Sequence, residues 1–215
     1  VQAESKIVEA LSSALEEVTG QPIRTMQDEH GPYALAVLAG KPLAYWRMND
    51  AEGSTPRNAV EAGPVAHLTG AFAFYLPGVG SGSGIGSGER LTAAAFSRDP
   101  VINRAIHFAG GSMTAEISQP SDHYTLAAWI WLGEPSGASQ RSGLIVRGPF
   151  GEKLIAHQDS EHRLRLELVA AEVGIEFSQA TWPAEDWNFI VLVREGNEVR
   201  VHVNGSPHPV LKSSI

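Results

Sequence analysis

The sequence predicts an all-β fold, an antiparallel β-sandwich, behind an N-terminal helical extension. Three observations carry this. In "HRLRLEL", Leu164, Leu166 and Leu168 share one face while Arg163, Arg165 and Glu167 share the other, the period-two alternation of a half-buried strand. "EVRVHVNG" repeats the device, with Val199, Val201 and Val203 inward and Glu198, Arg200 and His202 outward. Between "NFIVLV" and that second strand lies "REGNE", which reads as a tight hairpin centred on Gly196-Asn197. From Leu43 onward, short runs of this kind are separated by Gly, Pro, Asn and Ser, the pattern of a sandwich rather than of a helical protein.

Before Leu43 the period is helical. Ile7, Leu11, Leu15 and Val18 recur at spacings of four, four and three, with Glu4, Glu9, Glu16 and Glu17 elsewhere around the wheel. An amphipathic helix is expected over Ser5–Val18, stopped by Gly20 and Pro22. A second short helix is expected from Pro32, a residue suited to a first helical turn, to about Ala39, where Gly40 and Pro42 end it. The organisation is therefore a helical extension over residues 1–40 and a sandwich over residues 41–215. "NFIVLV" is apolar at consecutive positions, as a central strand covered on both faces would be. The expected core comprises Leu164, Leu166, Leu168, Val191, Val193, Val199, Val201 and Val203.

The stretch "LPGVGSGSGIGSGE" carries six glycines at every second position from Gly78 to Gly88. A dinucleotide fingerprint needs glycines at offsets zero, two and five. With all six at even parity, the last offset always lands on another residue. A phosphate-binding loop needs Lys and Ser/Thr after its final glycine, and here Glu89 and Arg90 follow. The run reads as a flexible, ligand-free connector.

Composition bounds the function. Apolar residues make up 43% and charged residues 19% of 215, with a formal net charge of −8. No run of Lys and Arg occurs, which argues against a nucleic-acid partner. There is no cysteine, hence no disulfide, no thiolate zinc site and no cysteine nucleophile. No apolar run is long enough to span a membrane. The opening "VQAESKIVEAL" lacks the pattern of a secretory signal, so an export signal would lie outside this chain.

Four stretches, in order, are "PLAYWRMND" at Pro42–Asp50, "AIHFAGGS" at Ala105–Ser112, "YTLAAWIWL" at Tyr124–Leu132 and "WNFIVLVREGNEVRVHVNG" at Trp187–Gly205. Together they resemble the laminin-G-like jelly-roll modules of the concanavalin A-like lectin/glucanase superfamily. The resemblance implies two packed antiparallel sheets, with Trp129 in the core and Trp131 following it inward; Trp46 and Trp187 also read as core. It further implies a loop after the first strand that often holds calcium, formed here by Asn49, Asp50, Glu52 and Asn58. Hard cations take clustered oxygens. Two of the family's acidic positions are Asn in this chain, and the alternative is a polar loop whose side chains close its own turns. Family members continue beyond the Asn/Asp-Gly turn into a further strand and a final strand, and this closing segment is expected to be absent.

Hydrolases of the superfamily carry Glu-x-Asp-x-x-Glu, which does not occur here, and glycoside hydrolysis needs two carboxylates about the scissile bond. Glu167 and Glu198 stand alone among Arg and Leu or Val and are expected on solvated faces. Eight histidines are scattered without metal-ligand spacing; His157 and His162 flank one turn, and His202 and His208 bracket Asn204-Gly205. Asn204-Gly205-Ser206 matches a glycosylation sequon but reads as a turn first. Sugar-binding surfaces use exposed aromatic rings, and the candidates for ligand contact are Trp182, in "SQATWPAEDW", and Tyr75, beside the glycine run.

The expected function is a non-catalytic module that binds carbohydrate or another extracellular partner, within a larger exported bacterial protein, periplasmic, surface-attached or secreted. The alternative is a structural or assembly domain that self-associates through the helix at Ser5–Val18. Whether Trp182 and Tyr75 line one groove separates the two.

Overall fold

A computed structural model of the chain describes residues 30–80, 103–118, 121–133, 141–170 and 174–214. The helix expected over Ser5–Val18 and the glycine run from Ser81 onward lie outside these residues. Helix α1 (Pro32–Ala39) forms where expected, with Pro32 in its first turn. The Gly40 N–H closes it onto the Ala36 and Val37 carbonyls.

The strands follow as β1 (Ala66–Thr69), β2 (Phe72–Pro77), β3 (Arg104–Phe108), β4 (Ser112–Ala115), β5 (His123–Ile130), β6 (Arg141–Arg147), β7 (Lys153–Gln158), β8 (Arg163–Ala170), β9 (Gly174–Phe177), β10 (Trp182–Pro183), β11 (Asn188–Glu195), β12 (Glu198–Val203) and β13 (Leu211–Ser214). Two small ribbons pair β1 with β4 and β2 with β3. The body consists of a four-stranded sheet in the order β13-β12-β11-β5 and a five-stranded sheet in the order β10-β8-β7-β6, with β9 also pairing β8. All pairings are antiparallel.

The two larger sheets meet through the residues that alternation points inward. Leu154 and Ala156 of β7 and Leu164, Leu166 and Leu168 of β8 join Ile190 and Leu192 of β11, Val199, Val201 and Val203 of β12 and Leu211 of β13 in one buried cluster. Burying each such aliphatic side chain contributes about 1.5–3 kcal/mol, so this contact is what makes the sheets a sandwich. The hairpin between β11 and β12 places Glu195 opposite Glu198, with Gly196 at φ +59°. A positive φ at the first central residue suits the twist of a two-residue hairpin, and glycine adopts it without steric cost.

Two expectations about the core are corrected. Val191 and Val193 are half-buried, not core: β11 alternates, burying Asn188, Ile190, Leu192 and Arg194. A run of consecutive apolar residues therefore does not mean equal cover on both faces. Trp129 and Trp131 do share a face, but it is the one turned away from the main core. In the register of β5 on β11, Ile130 lies opposite inward Asn188 and Trp129 opposite Phe189. The Trp129 and Phe189 rings pack with centroids 5.0 Å apart. Trp129, Trp131, Tyr33 of α1 and Ala105 of β3 build a second cluster around Val79 and Trp187, and the Trp129 indole N–H donates to the Tyr33 hydroxyl at 3.2 Å. Beyond the Asn204-Gly205 turn the chain returns as β13, which extends the sheet alongside β12.

A candidate binding face on the five-stranded sheet

The side of the five-stranded sheet opposite the core presents residues in cross-strand rows. Ser142, His157 and Arg165 form one row. Leu144, Ile155, Glu167 and Phe177 form the next, and Arg147, Lys153, Val169 and Ile175 the one after. Arg163 stands beyond the first row, opposite Pro183 of β10. The same alternation that sends Leu164, Leu166 and Leu168 inward sends Arg163, Arg165 and Glu167 here.

On the edge strand β9 of this face Phe177 is 46% exposed. Arg165 holds its guanidinium carbon 4.9 Å from the ring centroid, and the His157 ring lies 6.0 Å away. His157 Nε2 is 2.5 Å from Glu167 Oε2, a charge-assisted pairing. Two arginines are anchored by the chain that follows β9: Arg165 Nε–H donates to the Ser178 carbonyl at 3.2 Å, and Arg163 donates to the Thr181 hydroxyl at 3.2 Å and its carbonyl at 2.8 Å. Exposed Leu144 and Ile175 stand on the same face. An exposed aromatic ring beside polar side chains is the chemistry of a surface that recognises a polyhydroxylated ligand.

Glu167 was expected in solvent and is instead buried, because Phe177 and Ile155 flank it across the sheet and His157 covers it. Trp182, expected as an exposed ring, packs on the core: β10 places it opposite Leu164, so its side chain follows that leucine inward. Tyr75 is 48% exposed, at φ +66° on the irregular stretch between Ala73 and Leu76 of β2. The two rings expected to act together belong to different sheets. Phe177 was missed; the signal for it was the apolar alternation of Ile175 and Phe177 in "GIEF", too short a run to read as a strand by itself.

In the loop after Asp50, Asn58 closes the turn. Its Oδ1 accepts from the Tyr45 N–H at 2.9 Å and the Val60 N–H at 3.0 Å, and its Nδ2 donates to the Pro64 carbonyl at 3.0 Å. Asp50 Oδ1 accepts from the Arg57 N–H at 3.0 Å. With both Asn58 lone pairs engaged, that oxygen does not fit a calcium ligand. Among the described residues, no three His, Asp or Glu side chains cluster as a metal site. The histidines are held singly: His162 Nδ1 is 3.0 Å from Glu185 Oε1, and His202 donates from Nδ1 to the Ser206 carbonyl at 3.0 Å. Asn204, the sequon residue, accepts from the Phe189 N–H at 2.8 Å and donates to Asn188 Oδ1 at 3.0 Å, locking a turn at φ +52°.

A laminin-G family model, described as the concanavalin A-like lectin/glucanases superfamily, matches residues 109–212. Over that span the chain is similar to laminin-G-like modules. The matched region contains β4 to β12 and the start of β13, hence nearly all of both large sheets and the whole face around Phe177. None of the curated proteins and none of the solved structures matches the chain significantly. Among the described residues, no helix is long and apolar enough to cross a membrane.

Proposed function

We propose that this laminin-G-like module is a non-catalytic carbohydrate-binding unit of an exported protein, and that its recognition surface is the outer face of the five-stranded sheet. The observation that carries the reading is Phe177, an exposed ring set between a fixed guanidinium, Arg165, and a partnered carboxylate, Glu167. The strands of this sheet turn one carboxylate outward, Glu167, and hydrolysis of a glycosidic bond takes two. Similarity to a superfamily of lectins and glucanases supports a binding role but does not choose the ligand.

The test is an array of immobilised glycans probed with the chain, its Phe177→Ala variant and its Tyr75→Ala variant. Phe177→Ala is expected to lower affinity about tenfold, the loss of roughly 1.4 kcal/mol, with an unchanged melting temperature; Tyr75→Ala is expected to bind as the parent does. Undiminished binding by Phe177→Ala, or loss in Tyr75→Ala alone, overturns the assignment of the face.

A further inference from the structure

Two neighbouring strands of the four-stranded sheet differ on their outer side. β12 sends Glu198, Arg200 and His202 outward, the polar side of a sheet that faces water. β11 sends out Phe189, Val191 and Val193 before Glu195, and opposite these three on β5 stand Trp129, Ala127 and Thr125. This strip has the composition of a covered surface. Its cover begins at one end: the Trp129 and Phe189 rings pack together, and the Trp129 indole N–H donates to the hydroxyl of Tyr33 on α1. Val191 and Val193 are half-buried and belong to neither apolar cluster, and Thr125 and Ala127 beside them are exposed. Among the described residues, the cover stops short of the other end of the strip.

The chain that enters α1 carries the matching surface. Ile7, Leu11, Leu15 and Val18 recur at helical spacing, and a helix of this length is marginal in water unless its apolar stripe finds a partner. From Ile7 to Val18 such a helix runs roughly 17 Å, and the strip from Phe189 to Val193 runs about 13 Å. Residues 19–31 join the segment to α1 and include Gly20 and Pro22, enough chain to double back over a strip of that length. Because α1 already sits on this side of the sandwich, so short a connection holds the segment at an effective concentration in the millimolar range. A second copy matches that only in very concentrated protein. The small side chains of Thr125 and Ala127 leave room for a helix backbone to approach the sheet.

We propose that the outer strip of the four-stranded sheet is the docking site of this chain's own segment Ser5–Val18, which lies as a helix along β11 and β5 with its apolar stripe on Val191, Val193 and Ala127. The segment and α1 together then form a third layer, and the apolar faces of helix and sheet are both buried. Closure of this side leaves the five-stranded sheet as the open face of the module. The docking does not depend on what that open face binds.

The chain has no cysteine, so introduced thiols report proximity without background. The full 215-residue chain carrying L11C/V191C is treated with a short bis-maleimide, beside L11C/L144C, whose second thiol lies on the outer side of the other sheet. Expected is a cross-link within single chains of L11C/V191C, formed about tenfold faster or more than in L11C/L144C, the factor that effective concentration gives a held neighbour. Adding Leu15→Asp to the first pair should slow it to the rate of the second. Should V191C fail to fold, L11C/A127C takes its place at an exposed position. Separately, L11D/L15D in the cysteine-free chain is expected to lower the melting temperature by about 4 °C or more with the solution mass unchanged. A cross-link joining two copies at micromolar protein gives the strip to a second copy and overturns docking within the chain. Equal rates in the two pairs, or an unchanged melting temperature in L11D/L15D, overturns the proposal.

Discussion

Arg194 Nη1 donates to Glu152 Oε1 at 3.0 Å with both side chains out of solvent, 7% and 0% exposed. Arg194 belongs to β11 of the four-stranded sheet, and Glu152 lies in the turn that leads into β7 of the five-stranded one. The pair ties the two sheets together at one end of the sandwich. Tyr124 of β5 also donates to Glu152 Oε1, the Phe150 N–H donates to Oε2 at 3.1 Å, and Arg194 Nε donates to the Gly196 carbonyl at 3.0 Å. Removing one member leaves an uncompensated buried charge, which costs about 3–5 kcal/mol. Arg194→Met is therefore expected to lower unfolding free energy by that amount in denaturant titrations, and the double variant R194M/E152L by markedly less. Equal losses in the single and double variants would place the cost in packing instead of in the orphaned carboxylate.

The core register makes a paired prediction. Leu166 is fully buried between the sheets, whereas Val193, on the far side of β11, is half-buried. Leu166→Ala is expected to cost about 2–5 kcal/mol, and Val193→Ala clearly less. Chemical denaturation of both measures the difference, and a larger loss at Val193 would reverse the assignment of inner and outer faces on β11.

Asn58 supplies three hydrogen bonds to its own loop. Asn58→Ala leaves backbone donors without their partner and is expected to destabilise by about 1–3 kcal/mol. The loss should be the same in millimolar calcium and in a strong chelator. A penalty seen in calcium alone would make Asn58 a cation ligand after all.

His30 gives a pH dependence of defined sign. Its pKa is lowered by burial and, secondarily, by the charge of Arg47, whose Nη1 lies 3.3 Å from His30 Nδ1; that contact needs an unprotonated acceptor. Below about pH 6.5 the unfolded chain takes up a proton that the folded chain resists. This contribution to stability is complete above that pH and falls on acidification until the folded-state histidine also protonates. Proton NMR should find the His30 midpoint below that of a free histidine. Arg47→Met should raise the midpoint part of the way, because burial remains. An unshifted midpoint in the parent chain would refute the linkage.

What the sequence determined by itself is everything governed by local periodicity. Alternation in "HRLRLEL" and "EVRVHVNG" specified two strands and their inward residues, because a pleated strand sends neighbours to opposite faces wherever it lies. Pro32 and Gly40 bounded α1 for equally local reasons of backbone conformation. Tertiary structure alone decided what each face meets. Trp182 turns inward because β10 pairs in register with Leu164, and Trp129 leaves the main core because β5 pairs with Phe189. Glu167 is buried because the strands that precede and follow β8 pair with it and set Ile155 and Phe177 on either side. The proposed binding face is a set of residues from four strands joined by register, and register depends on which strands pair, a property that no single stretch of the chain encodes.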